Sequence, residues 1–398
     1  MSGYDASLMR CHCCAHHRGG IRIDGGTASG AKAGADTNMG TGSGTRLPHF
    51  TVDLHCHLLV PAVEALLAEH PRKRAEADEQ RRLLGAASFE HNQRMRGAIR
   101  ERLSSPARRL QDMRRLGIDL QVLSPSPTQY YPWADAALAQ QLVRTQNEAI
   151  AAVVRQHPCE FAGLGGVALQ HPELAAAQLR DAVERLGLLG AEITSDPTGR
   201  GLDDSALTPF WAEAERLGAV IFLHPLGTSL GERVNRYYLS NIIGQPLETT
   251  IALSELIHGG VLDRFPSLKL CAAHGGGYLP FAVGRSDHGY GVRPEARGCL
   301  QAPSEYLSRL WFDTVVFRPQ NLRSLIDMVG IGRIVAGTDY PFDMGEYALH
   351  DLVRAIPGLD DMQRAAVLGG NARRLLALPE THPALLAYHM ADTTRGAV

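Results

Sequence analysis

From residue 50 onward, short runs of β-branched and other apolar residues alternate with stretches of helical spacing, and this leaves few folds open to the chain. Eight such runs can be counted: Phe50–Leu58, Asp119–Ser126, Phe161–Leu169, Leu189–Ser195, Ala219–Pro225, Lys269–Gly276, Leu310–Val316 and Arg333–Pro341. Between them, segments such as Ala134–Gln156 and Pro172–Leu186 carry the spacing of amphipathic helices. Strand then helix, eight times over, is the pattern of βαβ units closing a parallel sheet, so the expected fold is an α/β (β/α)8 TIM barrel over residues 49–385. Two insertions interrupt it, Pro61–Ser105 after strand 1 and Gly227–Pro266 after strand 5. Both follow a strand's C-terminal end, the face on which barrel active sites lie, and are expected as long loops walling a substrate pocket.

Flanking the barrel, residues 1–48 are rich in Gly, Ala, Ser and Thr without an apolar period and read as a flexible tail; 386–398 read as a C-terminal tail. Cys11, Cys13, Cys14, His16 and His17 could chelate a soft metal, but no second pair stands at structural-zinc spacing. At 44% apolar, 21% charged and a formal net charge of -2, the chain is globular and carries no basic footprint for nucleic acid. No window approaches the roughly 18 apolar residues needed to cross a bilayer, and the N-terminus lacks a signal-peptide stretch. Seven scattered cysteines fit a reducing cytoplasm better than a secreted disulfide framework.

The segment Val52-Asp53-Leu54-His55-Cys56-His57 puts two histidines on one face at the end of the first strand, where they can share a cation; Cys56 points the other way, into the core. Among 17 histidines a lone His-X-His is a weak signal. It gains weight because His224, His274 and Asp339 each end another apolar run. Nitrogen and oxygen donors from several strand ends converge on a barrel mouth, and such donors suit zinc or manganese. Gly275, Gly276 and Gly277 lack a phosphate-loop spacing and are read as letting the backbone pass close to the metal pocket. His70, His91, His157, His171, His258 and His288 take loop or surface roles.

With these residues the chain resembles the amidohydrolase superfamily, and more closely its branch of metal-dependent nonoxidative decarboxylases typified by aminocarboxymuconate semialdehyde decarboxylase. The resemblance spans about residues 50 to 375. It rests on Asp53-Leu54-His55-Cys56-His57, on Gln245-Pro246-Leu247-Glu248-Thr249-Thr250 running to Gly259-Gly260, on the run from Phe265 to Gly277, and on Gly337-Thr338-Asp339-Tyr340-Pro341-Phe342 with Gly345-Glu346. It implies one divalent metal, zinc or else manganese, held by His55, His57, His224 and Asp339, with no organic cofactor. His274 is implied to stay off the metal and to work as acid/base on the water there; two routes stay open at this point, water adding to the substrate first, or the substrate binding the metal directly with Asp339 or His274 protonating its carbon. The fourth strand, Gly190 to Thr194, has no lysine to bridge two metals; Glu192 is a possible extra ligand.

Arg285 matches an arginine that the family uses to grip a substrate carboxylate from a neighbouring subunit, which implies a homodimer or higher homo-oligomer. A second such arginine has no single match among Arg94, Arg96 and Arg100, and Leu226 replaces the aromatic residue that follows His-Pro in the semialdehyde decarboxylase. Phe342 and Glu346 stand beside Asp339 as pocket residues. The expected activity is decarboxylation of a small unsaturated or aromatic carboxylate, aminocarboxymuconate semialdehyde-like or hydroxybenzoate-like. The rivals are a hydrolase or hydratase on the same site, acting on a lactone, an amide or a C–C bond, and a non-catalytic binding barrel.

Overall fold

The computed structural model describes residues 47–197 and 199–395. Most of the expected N-terminal tail, with Cys11, Cys13, Cys14, His16 and His17, lies outside the described residues.

Eight parallel strands form the barrel: β1 (Val52–Leu58), β2 (Leu120–Pro125), β3 (Phe161–Gly163, resuming at Gly165–Gly166), β4 (Gly190–Ile193), β5 (Val220–Leu223), β6 (Lys269–Ala272), β7 (Trp311–Asp313) and β8 (Ile334–Val335). Each lies inside one of the eight apolar runs and pairs in parallel with its neighbour in chain order. Nearly every strand residue is buried, as it must be when helices cover one face of a parallel sheet and a core fills the other. At the interruption in β3 the ladder continues through Leu164 N–H to Leu123 O (2.8 Å) and Leu189 N–H to Gly163 O (2.8 Å). The barrel closes between β8 and β1, where Leu54 N–H donates to Ala336 O (2.9 Å), Asp339 N–H to His55 O (2.8 Å) and His57 N–H to Tyr340 O (2.8 Å).

Asp53 locks this seam. Its carboxylate accepts from Thr338 N–H (3.0 Å), Thr338 Oγ1–H (2.7 Å) and Gln121 Nε2–H (2.9 Å), tying β1 to β2 and to the segment after β8. Close approach requires a glycine there: a Cβ on Gly337 would lie 2.7 Å from His55 Cβ.

Three sequence expectations change in the structure. The segment expected as a loop over Pro61–Ser105 is four helices, Pro61–Leu66, Pro71–Leu84, Ala86–Ala98 and Arg100–Ser104, the first two opened by proline at their start. The middle pair buries no residue against the barrel and stands on its rim as a hairpin, turned at Gly85 with φ 78°. Of Gly227–Pro266, the later part is the regular helix Gln245–His258, which buries Ala252, Leu253, Leu256 and Ile257 in the core. The expected C-terminal tail is helical through Arg395, because Pro383–Arg395 continues past 385; the Tyr388 ring packs edge-on against Phe50 (5.4 Å) and its hydroxyl donates to Pro48 O (3.1 Å). Among the described residues no helix is long and apolar enough to cross a membrane.

Arg109, fully buried on the helix Pro106–Leu116, supports the seam from below. Its guanidinium donates to His57 O and to Gln121 Oε1 (3.1 Å) and lies 4.7 Å over the Tyr340 ring. Replacing it with methionine leaves two buried acceptors without their donor, so Arg109→Met is expected to cost about 3 kcal/mol of stability, read as a lowered denaturation midpoint in urea.

Candidate metal centre and active-site pocket

His55 and His57 lie two apart on β1, so their imidazoles project from the same face; His224 follows β5 directly, and Asp339 follows β8 with its backbone in the left-handed region (φ 59°). Barrel closure brings the four together: one ligand atom from each lies within 4.8 Å of all the others, and all four residues are buried. His55 Nε2 is 3.1 Å from His57 Nε2, and Asp339 Oδ1 is 3.4 Å from the first and 3.3 Å from the second. Among the described residues, neither ring nitrogen of His224, nor Asp339 Oδ1, has a hydrogen-bond partner. Buried polar atoms are rarely left so, and three imidazoles with one carboxylate form a donor set that fits a divalent cation.

The far sides of the imidazoles are fixed. Asp313, at the end of β7, accepts from His55 Nδ1 at 2.6 Å, and Pro125 O faces His57 Nδ1 at 3.1 Å, which directs both Nε2 atoms inward. Glu192 is not in the group of four. It sits behind His57, 3.4 Å from Nδ1, where it accepts from Ser124 Oγ (2.5 Å) and from the Tyr130 hydroxyl.

Electrostatics point the same way. Burial alone would push His55 down, yet the carboxylates of Asp339 and Asp313 raise it to about 10. His224 is pushed well below its ordinary value by burial and by the other imidazoles. Burial works against the Asp339 carboxylate, but His55, His274 and His57 hold it well below the usual carboxylate range. In the protein alone, a proton on His55 stands in for the cation.

His274, two residues past β6, reaches the cluster from the side: its Nε2 is 3.6 Å from Asp339 Oδ2, its Nδ1 has no protein partner, and its ring is 5.2 Å from those of His55 and His224. Its backbone is left-handed (φ 54°), followed by three glycines with φ 62°, 77° and 65°. The glycines are required by this turn rather than by the metal pocket, since a Cβ on Gly277 would lie 2.1 Å from Pro246 O and one on Gly276 would meet Phe312.

A cavity of about 440 Å³ opens from His224 and Asp339 toward the rim hairpin, walled by Arg96, Trp133, Leu226, Tyr238 and Phe342. Phe342 lies 5.5 Å from the His57 ring. Of the three arginines left open by the sequence, Arg96 lines the cavity half-buried, while Arg94 and Arg100 are exposed and do not. A second cavity, of about 640 Å³, meets Asp339 from the His274 side. Arg285 is exposed on the helix Leu279–Val292 and lines neither cavity. Glu346 lines neither; its carboxylate accepts from Ala348 N–H (2.9 Å).

A family model described as Amidohydrolase matches residues 52–378, which is most of the chain. The chain belongs to the amidohydrolase family. Among its amidohydrolase relatives, 2-amino-3-carboxymuconate-6-semialdehyde decarboxylase of Dictyostelium discoideum is 38% identical over 275 residues, covering 69% of this chain and 77% of the relative. Gamma-resorcylate decarboxylase of Polaromonas sp. is 27% identical over 285 residues, covering 68% and 87%. Among solved structures, 5-carboxyvanillate decarboxylase from Sphingomonas paucimobilis superposes with a TM-score of 0.73 at 27% identity, over 83% of this chain and 99% of that one. A dihydroxybenzoic acid decarboxylase from Polaromonas sp. JS666, with bound manganese and 2-nitroresorcinol, gives 0.69 at 24% identity, over 83% and 97%. This amidohydrolase is a metal-dependent nonoxidative decarboxylase, a carboxy-lyase.

Sequence reasoning missed Asp313, although Trp311-Phe312-Asp313 ends an apolar run as His224 and His274 do. It also missed Ser124 and Tyr130, which hold Glu192 behind His57 and carry no signal of spacing.

Metal binding has to displace the proton on His55. A group raised from 6.5 to about 10 stabilises the metal-free fold fully below 6.5 and loses that contribution as pH rises through about 10. Metal affinity should therefore tighten as pH rises toward 10. Calorimetry in buffers of different ionisation enthalpy should report release of about one proton per metal ion at pH 7.

Proposed function

We propose that this amidohydrolase releases carbon dioxide from a small planar unsaturated or aromatic carboxylate, of the aminocarboxymuconate semialdehyde or hydroxybenzoate kind, bound in the cavity under the rim hairpin. The observation that carries this reading is the group of four buried donor residues, of which His224 and Asp339 hold atoms without hydrogen-bond partners among the described residues and open on a cavity walled by Arg96 and Phe342. The substrates named for the relatives, a carboxymuconate semialdehyde, a resorcylate and a carboxyvanillate, are all planar conjugated carboxylates.

In this assignment His55, His57, His224 and Asp339 hold one divalent metal. Zinc is the expected ion for three imidazoles and one carboxylate; manganese, present in the Polaromonas neighbour, is the alternative. When bound, the metal supplies positive charge against which the negative charge of C–C cleavage can develop. The carboxylate leaves as carbon dioxide, and the carbon it leaves takes one proton in exchange. His274, with Asp339 3.6 Å from its Nε2, is positioned to hold that proton and deliver it, and Asp339, which despite burial is held as a carboxylate by the surrounding imidazoles, is the other group within reach that can take up a proton and return it. Arg96 is assigned to a carboxylate of the substrate, with Leu226 and Phe342 as the apolar wall for its conjugated plane.

Arg285, exposed and away from its own cavities, is assigned to the substrate of a second copy, which makes the enzyme a homodimer or larger. A cytoplasmic setting goes with this, since all four described cysteines are free.

The test is a carboxylate screen read by mass spectrometry, with elemental analysis of the purified protein. Loss of carbon dioxide from a conjugated carboxylate and one zinc or manganese per chain are expected; turnover confined to carboxylates without a conjugated plane would overturn the substrate assignment. His274→Ala should keep its metal and lose about 100-fold or more in kcat. Arg96→Ala should raise KM about 10-fold or more, whereas Arg100→Ala, outside the cavity, should leave it unchanged.

A further inference from the structure

Asp313 is buried, with 0% exposure, and uses both carboxylate oxygens fully. Oδ2 accepts from His55 Nδ1 (2.6 Å) and from His274 N–H (3.0 Å); Oδ1 accepts from Gly275 N–H (2.8 Å) and Val315 N–H (3.1 Å). One carboxylate thus joins β1, through a histidine of the metal group, to the turn after β6 that carries His274, and to the segment after its own strand, β7. The two attachments concern different functions. The bond to His55 Nδ1 sets which nitrogen keeps its hydrogen when an ion binds, leaving Nε2, which faces His57 and Asp339, as the nitrogen that gives up its proton and offers its lone pair. The pair of bonds to His274 N–H and Gly275 N–H holds two consecutive residues in left-handed backbone, at φ 54° and 62°, a conformation that is costly for histidine and persists only where surrounding contacts enforce it.

Asp313 cannot itself touch substrate. Its oxygens face the outer side of the His55 ring, it lines neither cavity, and it has no exposed surface. We infer that Asp313 is a positioning residue that couples the metal centre to the acid/base group: the same carboxylate orients His55 toward the ion and fixes where the His274 imidazole stands. The inference deepens the decarboxylase reading and rests on the role assigned there to His274. Loss of the carboxylate would then disturb ion binding and proton delivery together, by separate bonds, while the substrate-binding cavity is left as it is.

Asp313→Asn tests this, since the amide keeps the shape and one acceptor but loses the charge and the second acceptor. Manganese and zinc dissociation constants are measured by competition with a chromogenic chelator, a readout that needs no substrate and stands whether or not the proposed substrate class and the role of His274 hold. Weakening of about 10–100-fold is expected. At saturating metal, kcat should fall about 10-fold or more with KM within about 2-fold. In a His274→Ala background the same substitution should still weaken metal binding yet cost no further kcat. Wild-type metal affinity, full recovery of kcat on metal saturation, or an equal kcat loss with and without His274 would each overturn the coupling. Should Asp313→Asn not fold, as judged by its melting curve, Asp313→Ser, smaller and still an acceptor, goes through the same measurements.

Discussion

Closure of the barrel between its first and last strands is the contact on which the rest of the molecule depends. Contacts at that seam do two jobs at once. Asp53 binds Thr338 and Gln121 and so fixes the register of β8 against β1, while the backbone carbonyl of His55 receives the N–H of Asp339. The strand bonds that complete the sheet therefore also set the distance from the Asp339 carboxylate to the two imidazoles of β1. A parallel barrel has no free edge at which such a register could slip without moving buried groups to the wrong face. Asp53 is itself raised to about 6, because burial outweighs the hydrogen bonds that it accepts, so the seam contains an unfavourable desolvation term that the closed sheet offsets.

Above the seam the chain gathers groups that repel or strand one another in the absence of a cation. His224 has two buried ring nitrogens without partners, and its surroundings oppose protonation; His55 beside it is driven to keep a proton by two carboxylates. Two of the non-glycine residues with left-handed backbone, His274 and Asp339, lie in this same place. Unsatisfied buried atoms and backbone strain are ordinarily removed by selection for stability, and their persistence in one spot marks the spot as a site.

In the proposed assignment, chemistry and recognition fall to two kinds of element. The metal group and Asp313 sit at or just beyond strand ends and inherit the rigidity of the sheet, whereas Arg96 sits on a helical hairpin that buries none of its residues against the barrel. That hairpin is held to the loop after β5 by exposed contacts, an Arg82–Glu232 ion pair at 2.7 Å and a bond from Asn235 Nδ2–H to Arg82 O at 3.4 Å. Surface pairs of this kind contribute little to stability, and one more of them, His91 to Asp343 at 2.9 Å, ties the hairpin to the segment that carries Asp339.

How much of this was legible beforehand follows from the range of the interactions involved. The alternation of apolar runs and helical spacing, the His-X-His on the first run and the strand-end places of His224, His274 and Asp339 are local patterns, and local patterns fix strands, helices and the face toward which each side chain points. From these alone, and from their likeness to one family, the barrel and the set of residues around its mouth could be written down. The helices of Pro61–Ser105 escaped for a local reason, since the middle pair buries no residue and so shows no apolar period; the place of Arg96 rather than Arg94 or Arg100 on the cavity wall, of Glu192 behind His57 and of Asp313 beside His55 escaped for another. Each of these three places depends on a distance between residues far apart in the chain, such as the 258 positions separating His55 from Asp313, and that distance exists only once the eighth strand has closed on the first.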